Sequence, residues 1–148
     1  MSESTVSIEL RQQHDFQFEV EFGNGVAPLL ADEPPPLGGA DGPSPVQLLA
    51  AAVGNCLSNS LLFALRKYKQ SPEPLSSRIT AQVGRNSENR VRVLGIQADL
   101  RLGVAAGSLQ HLDRVLASFE DYCTVTRSVA AGIPVTVQVY DSTGAQLK

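Results

Sequence analysis

The chain has 148 residues, 43% of them hydrophobic and 18% charged, with a formal net charge of −3. That length and balance predict one globular domain spanning residues 1–148 and exclude a disordered chain. The mild negative charge excludes a general attraction to nucleic acid or anionic lipid, and Arg85, Arg90 and Arg92, which flank a turn pattern, read as a solvated hairpin rather than a binding patch.

The first residues, Met1-Ser2-Glu3-Ser4-Thr5, carry neither a basic nor an apolar export signal, so the expected compartment is the reducing cytoplasm. Ser4 to Arg11 reads as a strand. Phe16, Phe18, Val20 and Phe22 then alternate with Asp15, Gln17, Glu19 and Glu21, the period of a half-buried strand. Asn24-Gly25 marks a hairpin, with Val26 to Ala31 as the return strand. The proline- and glycine-rich run Asp32 to Pro43 can continue neither strand nor helix and is a stiff loop.

A helix follows. Ser44 suits the N-cap and Pro45 the first helical position. The run reaches Lys69, about seven turns, and is apolar nearly all round, which predicts burial on most faces. No charge occurs between Asp41 and Arg66, a span long enough to cross a bilayer. Gln47, Asn55, Ser58, Asn59 and Ser60, with Gly42, Pro43 and Pro45, favour a buried central helix instead, and no membrane partner is expected.

Arg78 to Gly84 alternates as a strand, and Asn86-Ser87-Glu88-Asn89 is a turn. Arg90 to Leu102 returns with a slip of phase at Gly95, which predicts a bulge. Ser108 to Phe119 is a second helix with Leu109, Leu112, Val115, Leu116 and Phe119 inward. Thr124 to Ala131 is a short helix ending at Gly132, and Pro134 to Tyr140 closes the chain with a strand. This order predicts an α+β fold with helices on antiparallel sheet.

The chemistry is concentrated in two cysteines, Cys56 in the long helix and Cys123 just before the short one. A thiol attacks as its thiolate. Cys56 lies too far into its helix for that helix's dipole to help, and burial works against ionisation, so a nucleophilic Cys56 requires a cation from elsewhere. Asn55 and Asn59 are within reach as donors to the sulfur. Cys123 precedes free backbone N–H groups, which predicts a low-pKa thiol able to condense with a sulfenic acid. The competing reading makes each cysteine a small buried hydrophobe. The reducing compartment argues against a structural disulfide. His14 and His111 are isolated and no C-x-x-C occurs, so neither a metal nor a cofactor is expected.

The pattern Gly38-Gly39-x-x-Gly42-Pro43-Ser44-Pro45-x-x-Leu48-Leu49-x-Ala51-x-x-x-x-Cys56 resembles the OsmC family, which comprises osmotically inducible protein C and the organic hydroperoxide resistance proteins. Cys123-Thr124-Val125-Thr126, followed by Gly132-Ile133-Pro134-Val135, is similar to the family's second cysteine segment and closing strand. The resemblance spans nearly the whole chain. It implies antiparallel sheets packed on a long central helix in an intertwined homodimer. It also implies a peroxiredoxin-like oxidoreductase of the oxidative stress response. There Cys56 reduces an organic hydroperoxide and becomes a sulfenic acid, Cys123 resolves it, and a lipoyl-type dithiol or a small thiol resets the pair. Two departures stand out. The family glutamate ten residues before the first cysteine is here Val46. The activating arginine, drawn in one branch from the N-terminal strands, matches Arg11 by region alone; the competing reading of Arg11 is an exposed strand residue. The alternative function is a catalytically weak protein of the same fold that binds a small ligand or senses oxidants.

Overall fold

The computed structural model describes residues 2–148, which form two compact units, one ending at Leu48 and one running from Leu49 to Lys148. The first unit is a three-stranded antiparallel sheet of β1 (Glu9–His14), β2 (Gln17–Glu21) and β3 (Leu29–Ala31), in that order. β1 begins later than the alternation predicts. Glu9 pairs with Glu21, the last residue of β2, so residues 2–8 meet no strand partner in this sheet. Asn24 and Gly25 take the left-handed backbone expected of a turn, at φ +54° and +77°. The return strand shortens to Leu29–Ala31 because Pro28 has no N–H to offer a ladder.

The alternation in β2 holds, but its burial does not. Val20 is buried, whereas Phe16, Phe18 and Phe22 stay at least one-third exposed within this chain. Leu10, Phe16 and Phe18 line an apolar cleft of about 270 Å³ together with Pro45 and Leu48. The loop after β3 is stiffened by Asp32, a buried carboxylate that accepts N–H bonds from Glu33 (2.7 Å), Gly39 (3.2 Å) and Asp41 (3.1 Å). The bond from Asp41 is the main reason its carboxyl lies below the usual range, against the opposing effect of burial. Gly38 closes this clasp, since a Cβ there would stand 2.2 Å from the Glu33 carbonyl oxygen.

Helix α1 (Pro45–Lys67) starts where Ser44 and Pro45 place it. Ser44 Oγ accepts the Gln47 N–H at 3.2 Å, and Gln47 Oε1 accepts the Ser44 N–H at 2.9 Å, a reciprocal capping box. The helix stops short of Lys69, which sits at φ +59° while the Gln70 N–H bonds back to the Leu65 carbonyl.

In the second unit β4 (Ser76–Arg85), β5 (Val91–Arg101) and β6 (Val135–Tyr140) form one sheet in that order. β4 and β5 are antiparallel, and the expected bulge is present: Gln82 faces Gly95 while Val83 faces Val93, leaving Leu94 as the extra residue. β6 pairs with β5 in parallel, which corrects the expectation of a wholly antiparallel sheet. The connection carries α2 (Leu112–Ser118) and α3 (Thr124–Ala130), and a crossover of this length is what a parallel pair requires. α2 begins at Leu112 rather than Ser108, because His111 holds a left-handed φ of +61°. Its inner face is as expected: Val115, Leu116 and Phe119 are buried, with Leu109 and Leu112 packed against them.

The core of this unit sets Val53, Leu57, Leu61 and Leu65 of α1 against Ile96, Ala98, Leu100 and Leu102, with Phe119, Cys123 and Val139 closing it. α1 is long and apolar enough to cross a membrane by composition alone, and this stripe is what makes it a core helix. It is not buried on most faces, however. Ala51, Asn55, Asn59 and Phe63, four residues apart on one side, are exposed, Phe63 by 70%.

Candidate active site

Cys56 sits on α1 between the core stripe and the exposed one. Two residues earlier Gly54 lets the helix lie close to β4. A Cβ on Gly54 would be 2.5 Å from Ile79 Cγ1, a distance real side chains do not tolerate. Ser58 follows one turn later, its hydroxyl donating to the Gly54 carbonyl (2.7 Å) and reaching Ser77 Oγ of β4 (3.1 Å). These contacts position the Cys56 segment. Cys123 is positioned by the turn Phe119–Tyr122, whose buried Phe119 anchors it, and by its place directly before α3.

The fold brings the two cysteines together. Both are free thiols, Cys56 partly exposed and Cys123 buried, and they lie close enough for each to shift the other's ionisation. Burial pushes the Cys56 thiol up. The Cys123 thiol, the N–H groups of Thr126 and Val125 and the Thr126 hydroxyl outweigh it, and the net direction is down. Cys123 behaves oppositely. Burial and the neighbouring Cys56 raise it, more than the hydroxyl and N–H of Thr126 and the hydroxyl of Ser60 lower it. The sequence-based assignment is therefore reversed. The N–H groups at the start of α3 lower Cys56 as well as the cysteine next to them in the chain, the Thr126 N–H acting on both, and Cys123 is the thiol whose ionisation burial opposes more strongly. The requirement for a cation is correspondingly relaxed, because backbone donors lower the Cys56 thiol without one.

Cys56 opens onto a cleft of about 320 Å³ lined by Asn59, Ser60, Phe63, Tyr122 and Thr124. None of these side chains carries a fixed charge, and Phe63 and the 76%-exposed Tyr122 give the cleft aromatic walls. Asn55 and Asn59 do not donate to sulfur: Asn59 Nδ2 bonds Asn55 Oδ1 at 3.1 Å. Arg11, in the first unit, is exposed on β1 and pairs with Glu21 (2.6 Å) and Glu9 (2.8 Å). Among the described residues no group of three or more His, Cys, Asp or Glu could hold a metal ion.

Sequence reasoning missed Thr126. Its hydroxyl is buried, accepts from Cys123 Sγ at 3.0 Å and lies 3.4 Å from the Val53 carbonyl oxygen. The available signal was its place three residues after Cys123, one helical turn, which puts the two side chains on one face.

Comparison with known proteins agrees with this architecture. The family model for OsmC-like protein matches residues 38–138, a span that holds both cysteines. No curated protein matches the chain. Among solved structures, an OsmC-like protein of unknown function from Vibrio cholerae superposes with a TM-score of 0.77 at 19% identity, over 93% of this chain and 99% of that one. An organic hydroperoxide resistance protein OsmC from Legionella pneumophila superposes with a TM-score of 0.70 at 18% identity, over 94% and 98%. The organic hydroperoxide resistance protein OhrB of Bacillus subtilis gives 0.64 at 15% identity, over 92% and 98%. At these identities the superpositions establish the shared α+β fold. With the family model covering more than half of its residues, this chain belongs to the OsmC-like protein family.

Proposed function

We propose that the protein is a thiol-dependent peroxidase that reduces organic hydroperoxides through Cys56 and Cys123. The observation that carries this reading is the asymmetry of the pair. One sulfur is accessible, faces the cleft and ionises more readily than an ordinary thiol; the other is buried beside it and ionises less readily. The Cys56 thiolate attacks the distal oxygen of the hydroperoxide. The O–O bond breaks, the alkoxide leaves and takes a proton to become the alcohol, and Cys56 is left as a sulfenic acid. The Cys123 sulfur then attacks the Cys56 sulfur. An S–S bond forms, the S–O bond breaks, and the departing hydroxide takes the Cys123 proton to leave as water. A dithiol of lipoyl type, or two small thiols, restores both thiols by exchange. The uncharged, aromatic-walled cleft suits an apolar hydroperoxide.

The chain is read as one functional OsmC-like domain over residues 1–148, working in the cytoplasm as a homodimer. The exposed stripe of α1, and the phenylalanines that β2 leaves uncovered, are the surfaces such a dimer would cover. Arg11 is retained as the candidate activating cation. To act as one it has to exchange Glu9 and Glu21 for the site.

The test is hydroperoxide consumption with lipoyl and small-thiol reductants, on wild type, Cys56→Ser, Cys123→Ser and Arg11→Ala. Cys56→Ser should abolish consumption. Cys123→Ser should allow a single oxidation that leaves a sulfenic acid trappable by a dimedone-type probe. Arg11→Ala should slow the first oxidation. Wild-type protein that forms the Cys56–Cys123 disulfide without turning over would be an oxidant sensor, and the peroxidase reading would fall.

A further inference from the structure

The buried thiol poses a chemical difficulty that the proposed cycle must solve. Cys123 has to attack as a thiolate, yet it is enclosed and its proton is firmly held. Its surroundings offer few remedies. From α1 it is faced by Cys56 and Ser60, from α3 by Thr126, and none of these carries a fixed charge. Of the two hydroxyls, that of Ser60 borders the open cleft, where water can replace it. The Thr126 hydroxyl is buried, and water cannot stand in for it.

We propose that Thr126 serves the resolving step, its hydroxyl turning from acceptor of the Cys123 thiol proton to donor toward the Cys123 thiolate as the disulfide forms. The inference rests on the peroxidase reading and names a further residue within it. Two distances carry it. Thr126 Oγ1 stands 3.0 Å from Cys123 Sγ, a close contact for sulfur, and in the resting state it accepts the S–H. Its own hydrogen points to the Val53 carbonyl at 3.4 Å, a long bond that is cheaply given up. One rotation of the hydroxyl exchanges that weak bond for a charge-assisted one to sulfur. The Cys123 S–H, no longer held by Thr126, turns and passes its proton to the hydroxide leaving Cys56 as the two sulfurs close to bonding distance. The lowering effect of the Thr126 hydroxyl on Cys123 points the same way.

The Thr126 N–H is retained in any substitution, while the hydroxyl lowers both thiols, so the two chemical steps are followed separately. The experiment follows both steps in single-turnover oxidation with cumene hydroperoxide. Loss of the Cys56 thiolate reports the first step, and disulfide formation by mass spectrometry reports the second, each across a range of pH. Thr126→Val, nearly isosteric and lacking the hydroxyl, should slow the first step only within about threefold, because the Cys123 thiol and the N–H groups of Thr126 and Val125, each a larger influence on Cys56 than the hydroxyl, remain. It should slow disulfide formation about 10- to 100-fold, the factor associated with a hydrogen bond to a charged group. The pH profile of the second step should move upward, and sulfenic acid should accumulate. Thr126→Ser should restore both rate and profile. Ser60→Ala should cost much less. Thr126→Ala repeats the deletion with a smaller side chain should valine disturb packing, and circular dichroism confirms the fold of each variant. Disulfide formation at the wild-type rate and pH profile in both hydroxyl-free variants would overturn the inference while leaving the peroxidase reading intact. Wild-type protein that forms neither sulfenic acid nor disulfide would overturn both.

Discussion

Gly54 offers a stringent test of how the Cys56 segment is held. A Cβ at this position would lie 2.5 Å from Ile79 Cγ1 and 2.8 Å from Ile79 Cδ1, so helix and strand must part by about 1 Å to reach ordinary contact. Overpacking of this kind costs about 1–3 kcal/mol. Alanine also removes the helix-interior penalty of glycine, about 1 kcal/mol in the other direction. Gly54→Ala alone should therefore be neutral to destabilising by about 2 kcal/mol. The sharper prediction concerns the pair. Ile79→Ala deletes both clashing atoms, and in that background Gly54→Ala should be stabilising by about 1 kcal/mol. The resulting coupling, about 1–3 kcal/mol, is read from urea unfolding of the four proteins by circular dichroism. The same displacement shifts the Cys56 segment, so the single Gly54→Ala variant should also change the rate of disulfide formation. Two substitutions that add to within about 0.5 kcal/mol would show that the helix does not depend on this close approach.

Other consequences can be measured separately. In the reduced wild-type protein at neutral pH, with the modified residue located by peptide mass spectrometry, Cys56 should be alkylated by iodoacetamide well before Cys123, since one thiol is lowered and the other raised; the opposite order would refute the assignment of roles. Asp141 accepts bonds from the Thr143 hydroxyl (2.6 Å) and from the N–H groups of Ala106 (2.9 Å), Thr143 (2.9 Å) and Ala145 (3.1 Å), which hold its carboxyl at about 2 against an ordinary 3.8. Its stabilisation is complete above the ordinary value and is lost as pH falls toward about 2. The stability gap between wild type and Asp141→Asn should shrink over that window, and a gap independent of pH would count against the linkage. The homodimer should bury at least about 2,000 Å² and sediment as such at micromolar concentration. Phe63→Glu, which puts a charge on the exposed stripe of α1, should shift it toward monomer, and a monomeric wild type would sink the proposed assembly.

The sequence alone determined the local features of this protein. Ser44 and Pro45 begin α1 because capping chemistry is confined to a few consecutive residues. The slip of alternation around Gly95 revealed the bulge because a strand's period of two makes one extra residue visible. The spacing of apolar residues gave the inner face of α2, and the two cysteine motifs gave the family. Tertiary structure decided what depends on segments distant in the chain. The side-chain pattern of β6 is the same whether it pairs parallel or antiparallel, so only its position beside β5 settles the direction. The composition of α1 predicted burial all round, but a single chain has matter enough to cover only one stripe of it. Most consequentially, the N–H groups at the start of α3 adjoin Cys123 in sequence and yet also lower the thiol of Cys56, which is distant in the chain. Nearness along the chain predicted the lower pKa for Cys123, and the deeper burial of that thiol against its neighbour Cys56 gave it to the other cysteine.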